Sequence, residues 1–222
     1  MEILDAIHKR HACRAFLEKD VEPDVITQLL EAARWAASGV NTQPWQVHIL
    51  TNKAKARLSA ALIDARSRNL APNPDYEYYP REWSSPYKER RKECGLKLYQ
   101  VLGIKKGDAE GQMRAWSNNY TFFGAPTGII FTVDKIMQTG SWLDMGLFMQ
   151  NIMLGALEFD LATCPQASLA DYPDIVRDNL ALKADQLVVC GMSIGYPDQA
   201  AAVNQYRLAR EPISDFTTWH DK

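Results

Sequence analysis

Two pairs of arginines, Arg10 with Arg14 and Arg207 with Arg210, are the residues of this chain whose type and spacing best suit chemistry. Taken singly, each reads as a solvated surface cation. A fixed pair of guanidiniums instead suits a phosphate and a polarised carbonyl, because each offers oxygen a planar fork of N–H donors. Between the two pairs, Ser38-Gly39-Val40-Asn41-Thr42-Gln43-Pro44-Trp45 forms an uncharged polar turn whose Asn41 and Gln43 amides both donate and accept. Asn also settles readily in irregular backbone, so this segment has a purely structural reading as well. A third piece, Cys164-Pro165-Gln166-Ala167-Ser168, follows a short apolar run and reads as a strand-to-loop turn. No catalytic dyad or triad stands out. Asp144, beside the start of an apolar helix, reads as a cap-region carboxylate. Cys164 has no basic partner and reads as a buried structural thiol.

The elements that must position these groups follow from patterning. Residues 2–9 read as a short helix with Ile3, Leu4 and Ile7 on one face, acidic at its start and basic at its end. Pro23 opens a second helix whose apolar face is Val25, Ile26, Leu29, Leu30 and Ala33. Ser38-Gly39 is expected to end it, glycine tolerating a left-handed stop. Trp45, Val47 and Ile49 alternate with Gln46 and His48 as a strand does. Asn52 is placed to cap a helix carrying Leu58, Ala61, Leu62 and Ala65. Pro72, Pro74, Pro80 and Pro86 forbid an ordinary helix or central strand across 71–86. Two amphipathic helices, broken near Gly103–Gly107, are expected after it. A segment so long and so rich in aromatics reads as a lid.

Residues 127–133 and 186–194 are apolar on both faces and read as buried strands. Residues 143–159 are helical in period but apolar nearly all round, so this helix must be covered on every side, with a partner subunit as the cover its own chain lacks. The polar tail from Gly195 carries Phe216 and Trp219 and reads as an arm that docks. The expectation is a single domain over 1–222, with a lid insertion at about 71–123 and an extended C-terminal arm at about 195–222.

Composition narrows the function classes. The chain has 222 residues, a net charge of −2 and 46% hydrophobic content. That is globular, and it leaves no electrostatic footprint for nucleic acid or an anionic membrane. Any anion site must then be a local cluster. The four histidines and four cysteines show no metal-ligand or CxxC spacing. No apolar run approaches the length of a membrane span. The start, Met1 to Asp5, carries neither a basic stretch nor an apolar core. A cytoplasmic protein with reduced thiols is expected.

An SGxNxQPW turn after an Ala-rich helix, preceded by Arg10-His11-Ala12-Cys13-Arg14, resembles the FMN-dependent nitroreductase family. The likeness spans nearly the whole chain, and Tyr78-Tyr79-Pro80 with Pro86-Tyr87 is similar to its branch of nitrobenzoate and other nitroarene reductases. The resemblance implies an α+β fold with a mixed β-sheet flanked by helices, and a homodimer with exchanged C-terminal arms and two FMN sites at the interface. Arg10, His11 and Ala12 match the family's N-terminal flavin-binding positions, although many relatives have Ser where Ala12 stands. Arg14 matches the basic residue near the pyrimidine side of the ring. Arg210, with Arg207 as second candidate, matches the late basic residue at the phosphate. Ser38, Gly39 and Asn41, with Gln43 as a further polar neighbour, match contacts that reach the cofactor held mainly by the other subunit. Pro165, Gln166, Ala167 and Ser168 match the segment lying against the ring, where the backbone N–H of Ala167 or Ser168 faces its hydride-accepting nitrogen. Phe122 and Phe123 are candidates to stack on a flat substrate.

The activity this implies is an FMN-dependent NAD(P)H oxidoreductase, with NADH or NADPH as donor. It passes two electrons to a nitroaromatic or quinone-like acceptor in alternating half-reactions. The absence of a triad fits, since the cofactor carries the hard chemistry. Alternatives on the same fold are a reductive dehalogenase and a flavin-degrading enzyme; a non-catalytic flavin-binding protein is the alternative from another class.

Overall fold

The computed structural model describes residues 1–220; the last two residues of the expected arm, 221 and 222, lie outside the described residues. In chain order the elements begin with α1 (Ile3–Lys9), α2 (Pro23–Ala33), β1 (Gln46–Leu50) and α3 (Asn52–Ser67). The lid helices α4 (Tyr87–Val101) and α5 (Ala109–Ser117) come next, then β2 (Thr127–Asp134) and α6 (Thr139–Gly155). The chain continues with β3 (Ala162–Gln166), α7 (Pro173–Leu180), β4 (Gln186–Gly195) and the short α8 (Ala202–Gln205).

The four strands form one sheet in the order β1-β2-β4-β3. The fold is α+β as expected, but the sheet is not mixed: every strand pair in it is antiparallel. Among the described residues, parallel pairing is confined to an isolated bridge between Ala12 and Thr163. Pro165 sits in β3, the edge strand of the sheet, where its missing N–H costs no ladder bond to β4.

Each face of the sheet carries its own core. Ile129, Phe131 and Val133 of β2 meet Ile26, Leu29 and Ala33 of α2 and Met145, Phe148 and Ile152 of α6. On the other face Ile130 meets Leu58, Leu62 and Ala65 of α3 and Val176 of α7. Burial of each such side chain contributes about 1.5–3 kcal/mol, the main favourable term holding the layers together.

An irregularity in β4 ties the lid to this frame. Phe131 pairs with Cys190 and Thr132 with Val188, so Val189 is an extra, bulged residue. N-terminal to Gly191, β3 does not cover this edge of β4. Lid residues take its place: Val188 N–H donates to Asp75 Oδ2 at 2.8 Å, and Tyr76 O–H donates to the Val189 carbonyl at 2.5 Å. Arg177 of α7 holds both Asp75 oxygens, at 2.8 and 3.0 Å.

Three local expectations are corrected. Helix α2 stops at Ala33, well short of Gly39, and the positive φ angles fall instead on Val40 (46°), Asn41 (59°) and Gln43 (48°). Asn52 does not cap α3; Thr51 occupies that position and Asn52 has φ 44°. Asp144 lies inside α6, not at its cap, because that helix begins at Thr139. The break between α4 and α5 is where the sequence puts it, with Gly103 (φ 69°) and Gly107 (φ 87°) left-handed.

Candidate active site

The basic residues of the two chain regions meet. A cavity of about 430 Å³ is lined by Arg10, His11, Ala12 and Arg14 on one side and by Tyr206, Arg207 and Arg210 on the other. Backbone pairing brings them there. Cys13 N–H donates to the Thr163 carbonyl at 2.9 Å, which lays residues 12–13 along β3. The buried Asn204 then joins the segments: its Oδ1 accepts Arg14 N–H at 2.8 Å and its Nδ2 donates to the Ala15 carbonyl at 2.8 Å. Sequence reading missed Asn204, since a lone Asn in a polar tail carries no signal of its own.

Within this cavity donors outnumber acceptors. Arg207 Nη2 lies 2.9 Å from His11 Nδ1. The same Nδ1 lies 3.0 Å from the Lys9 carbonyl, so one contact asks it to accept and the other to donate. His11 Nε2 and Arg10 Nε are both buried without a hydrogen-bond partner among the described residues. Burying polar groups unpaired is costly; Arg10 Nε, which can only donate, is fitted to an anion, and His11 Nε2 joins it when it carries a proton. Burial lowers the His11 pKa first; the Lys9 carbonyl opposes this, and the Arg207, Arg10 and Arg14 charges lower it further.

A second cavity, of about 620 Å³, opens on the far side of Arg14, which lines both. Its floor is Pro165, Gln166, Ala167 and Ser168, where β3 gives way to a 3-10 turn. Ser168 Oγ is a third buried polar atom without a partner among the described residues. The Gln166 side chain is not free: Nε2 donates to the Asn119 carbonyl at 2.6 Å and Oε1 accepts Ser193 O–H at 2.5 Å. Gln166 therefore offers a ligand only its backbone. The walls are Tyr76, Tyr78, Tyr79 and Trp116 of the lid.

The two phenylalanine candidates separate. Phe122 is fully buried, and a Cβ on Gly128 of β2 would come within 2.5 Å of its ring. It is a core residue and cannot contact a substrate, which corrects the expectation. Phe123 remains half-buried with Arg14 over its ring at 6.0 Å.

Ser38, Gly39, Asn41 and Gln43 line neither cavity. Their turn is fixed internally by Gln43 N–H donating to Ser38 Oγ at 3.0 Å, and against α6 by Gly39 N–H donating to both Asp144 oxygens at 3.3 Å. Val40 is 97% exposed at φ 46°, a costly backbone state for a β-branched residue.

Burial pushes the Cys13 thiol up to about 11 and that of Cys164 up to about 12. Neither supplies a thiolate near neutrality. Cys94, half-buried, lines the basic cavity. One thiol per folded chain, that of Cys94, is therefore expected to react with an alkylating reagent, more slowly once a phosphorylated ligand fills the cavity. Mass mapping of modified sites checks this; prompt labelling of Cys164 would contradict the packing of β3.

With this geometry in hand, comparison with known proteins is specific. The model of the nitroreductase family matches residues 7–196. The chain is 41% identical over 212 residues to a 4-nitrobenzoate reductase of Pseudomonas putida, covering 95% of this chain and 92% of that protein. It is 36% identical over 216 residues to a chloronitrobenzene nitroreductase of Comamonas testosteroni, covering 97% and 95%. A crystal structure of the FMN and NADPH-dependent nitroreductase NfnB from Sphigopyxis sp. strain HMH superposes with a TM-score of 0.97 at 32% identity, over 99% of both chains.

Proposed function

This chain belongs to the nitroreductase family, and on that premise we propose that it is an FMN-dependent NAD(P)H oxidoreductase that reduces nitroaromatic acceptors. Bound FMN supplies the electron-carrying chemistry, taking two electrons from the reduced nicotinamide and yielding them to the acceptor in a second half-reaction. The observation that carries this reading is the junction at Arg14 of a basic cavity and an aromatic one, with buried, unpartnered polar atoms at Arg10, His11 and Ser168. The residues fit a molecule with a phosphate at one end and a flat polar ring at the other.

In this reading Arg10, His11 and Arg207 hold the phosphate, and Arg210 flanks it. Arg210 Nη1 is meanwhile bonded to the Leu208 and Ala209 carbonyls, each at 3.1 Å. Arg14 sets a fixed positive charge where the cavities join, close to where negative charge accumulates during reduction. Ser168 Oγ and the backbone N–H groups of Ala167 and Ser168 face the ring. The lid aromatics shield the second cavity from water, and Phe123 borders the acceptor's space.

The working unit is a homodimer. Leu143 of α6 is 75% exposed and Trp219 of the arm 86%, and Ile3, Leu4 and Ile7 of α1 are also uncovered. These apolar surfaces call for a second copy, which would also present the strained Ser38–Gln43 turn to the cofactor of its partner. The extended segment from Gly195 is read as the exchanged arm and residues 71–123 as the lid of a single domain. A cytoplasmic site of action suits four unpaired cysteines and a chain with no described helix long and apolar enough to cross a membrane.

The test is direct. The purified protein is expected to be yellow, to bleach anaerobically with NADPH or NADH, and to regain its colour with a nitroarene. A colourless protein that FMN does not stabilise would remove the proposal.

His11 adds a pH signature. A lowered folded pKa means the cofactor-free fold binds fewer protons than the unfolded chain below about pH 6.5, the unperturbed value. Stability contributed by neutral His11 is thus full above that pH and is lost as pH falls toward the folded pKa. His48 is lowered by burial too and acts in the same direction, so the His11→Gln difference isolates the effect. The melting temperature of cofactor-free protein is expected to fall less between pH 6.5 and 5 in the variant; identical slopes would refute it.

A further inference from the structure

Arg81 is the cation of the aromatic cavity that the cofactor reading leaves without a task. It lines the cavity with Tyr76, Tyr78, Tyr79 and Trp116, whereas Arg14 belongs to the junction with the basic cavity. Glu77, four residues earlier, accepts from Arg81 Nε at 2.9 and 3.2 Å and from Nη2. One edge of the guanidinium is thereby held, and Nη1 has no hydrogen-bond partner among the described residues. A guanidinium has two edges suited to a carboxylate, and pairing at one orients the other. The cavity's two carboxylates are already engaged: Glu77 by Arg81 itself, and Asp171 by the Tyr120 hydroxyl, which donates at 3.3 Å. Burial also holds the Asp171 carboxyl above the usual carboxylate range, which weakens any repulsion it offers an incoming anion.

We propose that the free edge of Arg81 is a carboxylate subsite of the lid, which selects aromatic acids such as nitrobenzoates over neutral nitroarenes. The idea rests on the reductase reading above and gives that site its substrate class. A ring lying between flat aromatic walls would direct its nitro end to the Pro165–Ser168 floor and a para carboxylate to the lid. An exposed ion pair in water is worth little. The Arg81 side chain is 86% exposed, so the contact discriminates only once a stacked acceptor ring and the neighbouring tyrosines exclude water from it.

The measurement compares 4-nitrobenzoate with its uncharged methyl ester on the FMN-loaded protein, in wild type, Arg81→Gln and Arg81→Lys. Wild type is expected to favour the acid in kcat/KM. Arg81→Gln should raise KM for the acid by about tenfold or more, the scale of a lost charged hydrogen bond. Its kcat should hold, with the ester changing less than about twofold. Arg81→Lys should retain part of the preference, keeping the charge without the fork. Acid and ester declining together would make Arg81 a lid-positioning residue and overturn the subsite. So would a change confined to the KM of NADPH, which would assign Arg81 to a donor phosphate.

Calorimetric titration of the same proteins with benzoate, which has no nitro group, separates this idea from the activity. Benzoate binding that weakens in Arg81→Gln without nitroarene turnover would support the subsite and sink the reductase reading. Turnover of acid and ester alike, with no benzoate binding, would do the opposite.

Discussion

Arg14→Ala is expected to weaken FMN retention by roughly 30- to 1000-fold, the equivalent of about 2–4 kcal/mol for truncating one partner of a partly buried charged contact. Arg14 is the residue common to both cavities, so its loss touches the phosphate end and the ring end of the site together. The fold should be little affected. The bond that ties this segment to Asn204 comes from the Arg14 backbone N–H, which alanine keeps, and the side chain's own intramolecular bond, Nη1 to the Ala12 carbonyl, is long at 3.5 Å. Loss of affinity with an unchanged apo melting temperature is therefore the signature. Arg14→Lys should fall between the two, since a compact ammonium keeps the charge but not the planar fork. Equilibrium dialysis or fluorescence titration of FMN against the apo proteins measures this, and equal affinity in wild type and Arg14→Ala would remove the role given to Arg14.

The largest effect on stability is expected at Phe122. Phe122→Ala should cost about 3–5 kcal/mol in chemical denaturation, as deletion of a buried aromatic ring does. The ring is fully enclosed in the core of the α3 face, against Gly128 of the central strand. Its neighbour should behave in the opposite way. Phe123→Ala is expected to change stability by less than about 1 kcal/mol while altering KM for the acceptor, because that ring lies against Arg14, which lines both cavities. The contrast comes from backbone geometry. Phe122, Phe123 and Gly124 have φ of 55°, 52° and 79°, three left-handed residues in a row. The tight turn throws one ring into the core and leaves the next at the site. Left-handed backbone costs about 1–2 kcal/mol per non-glycine residue, and the buried Phe122 ring offsets it. A Phe122→Ala protein as stable as wild type would show that the ring does not anchor this turn.

That pair also marks where sequence reading reaches its limit. Aromatic content and position pointed to a site near residues 122–123, but composition cannot tell which of two adjacent identical residues faces inward when the backbone departs from both the helical and the strand period. Where a period holds, the reading succeeds: the buried face of α2, the strand at 46–50, the enclosed strands β2 and β4, and the excess apolar surface of α6 all follow from spacing. The convergence of Arg10, Arg14, Arg207 and Arg210 on one cavity was expected from family likeness and was not derivable from spacing alone. The misreadings share a physical cause, in that a tertiary contact overrode a local preference. Asp144 had the look of a cap until Gly39 N–H was found to donate to it across the fold. Gln166 is placed at the ring only as part of its segment, and Asn119 and Ser193 consume its side-chain amide. The left-handed angle expected of Gly39 falls on Val40 and Asn41 because the whole turn is set against α6. The mixed sheet foreseen from the family is antiparallel in the strands of the chain itself, and β3 meets a parallel neighbour only at Ala12.

The wall of the basic cavity that carries Arg207 is covalently remote from the wall that carries His11, the two contacting residues lying 196 positions apart. During synthesis at about 5–20 residues per second, the first wall waits on the order of 10–40 s for the second. Until then Arg10, His11 and Arg14 stand without the Arg207 side of the cavity, and on the proposed reading hold no flavin. On the proposed reading, coenzyme loading therefore follows the emergence of Arg207, and a nascent polypeptide stalled before Val203 lacks that wall of the cavity.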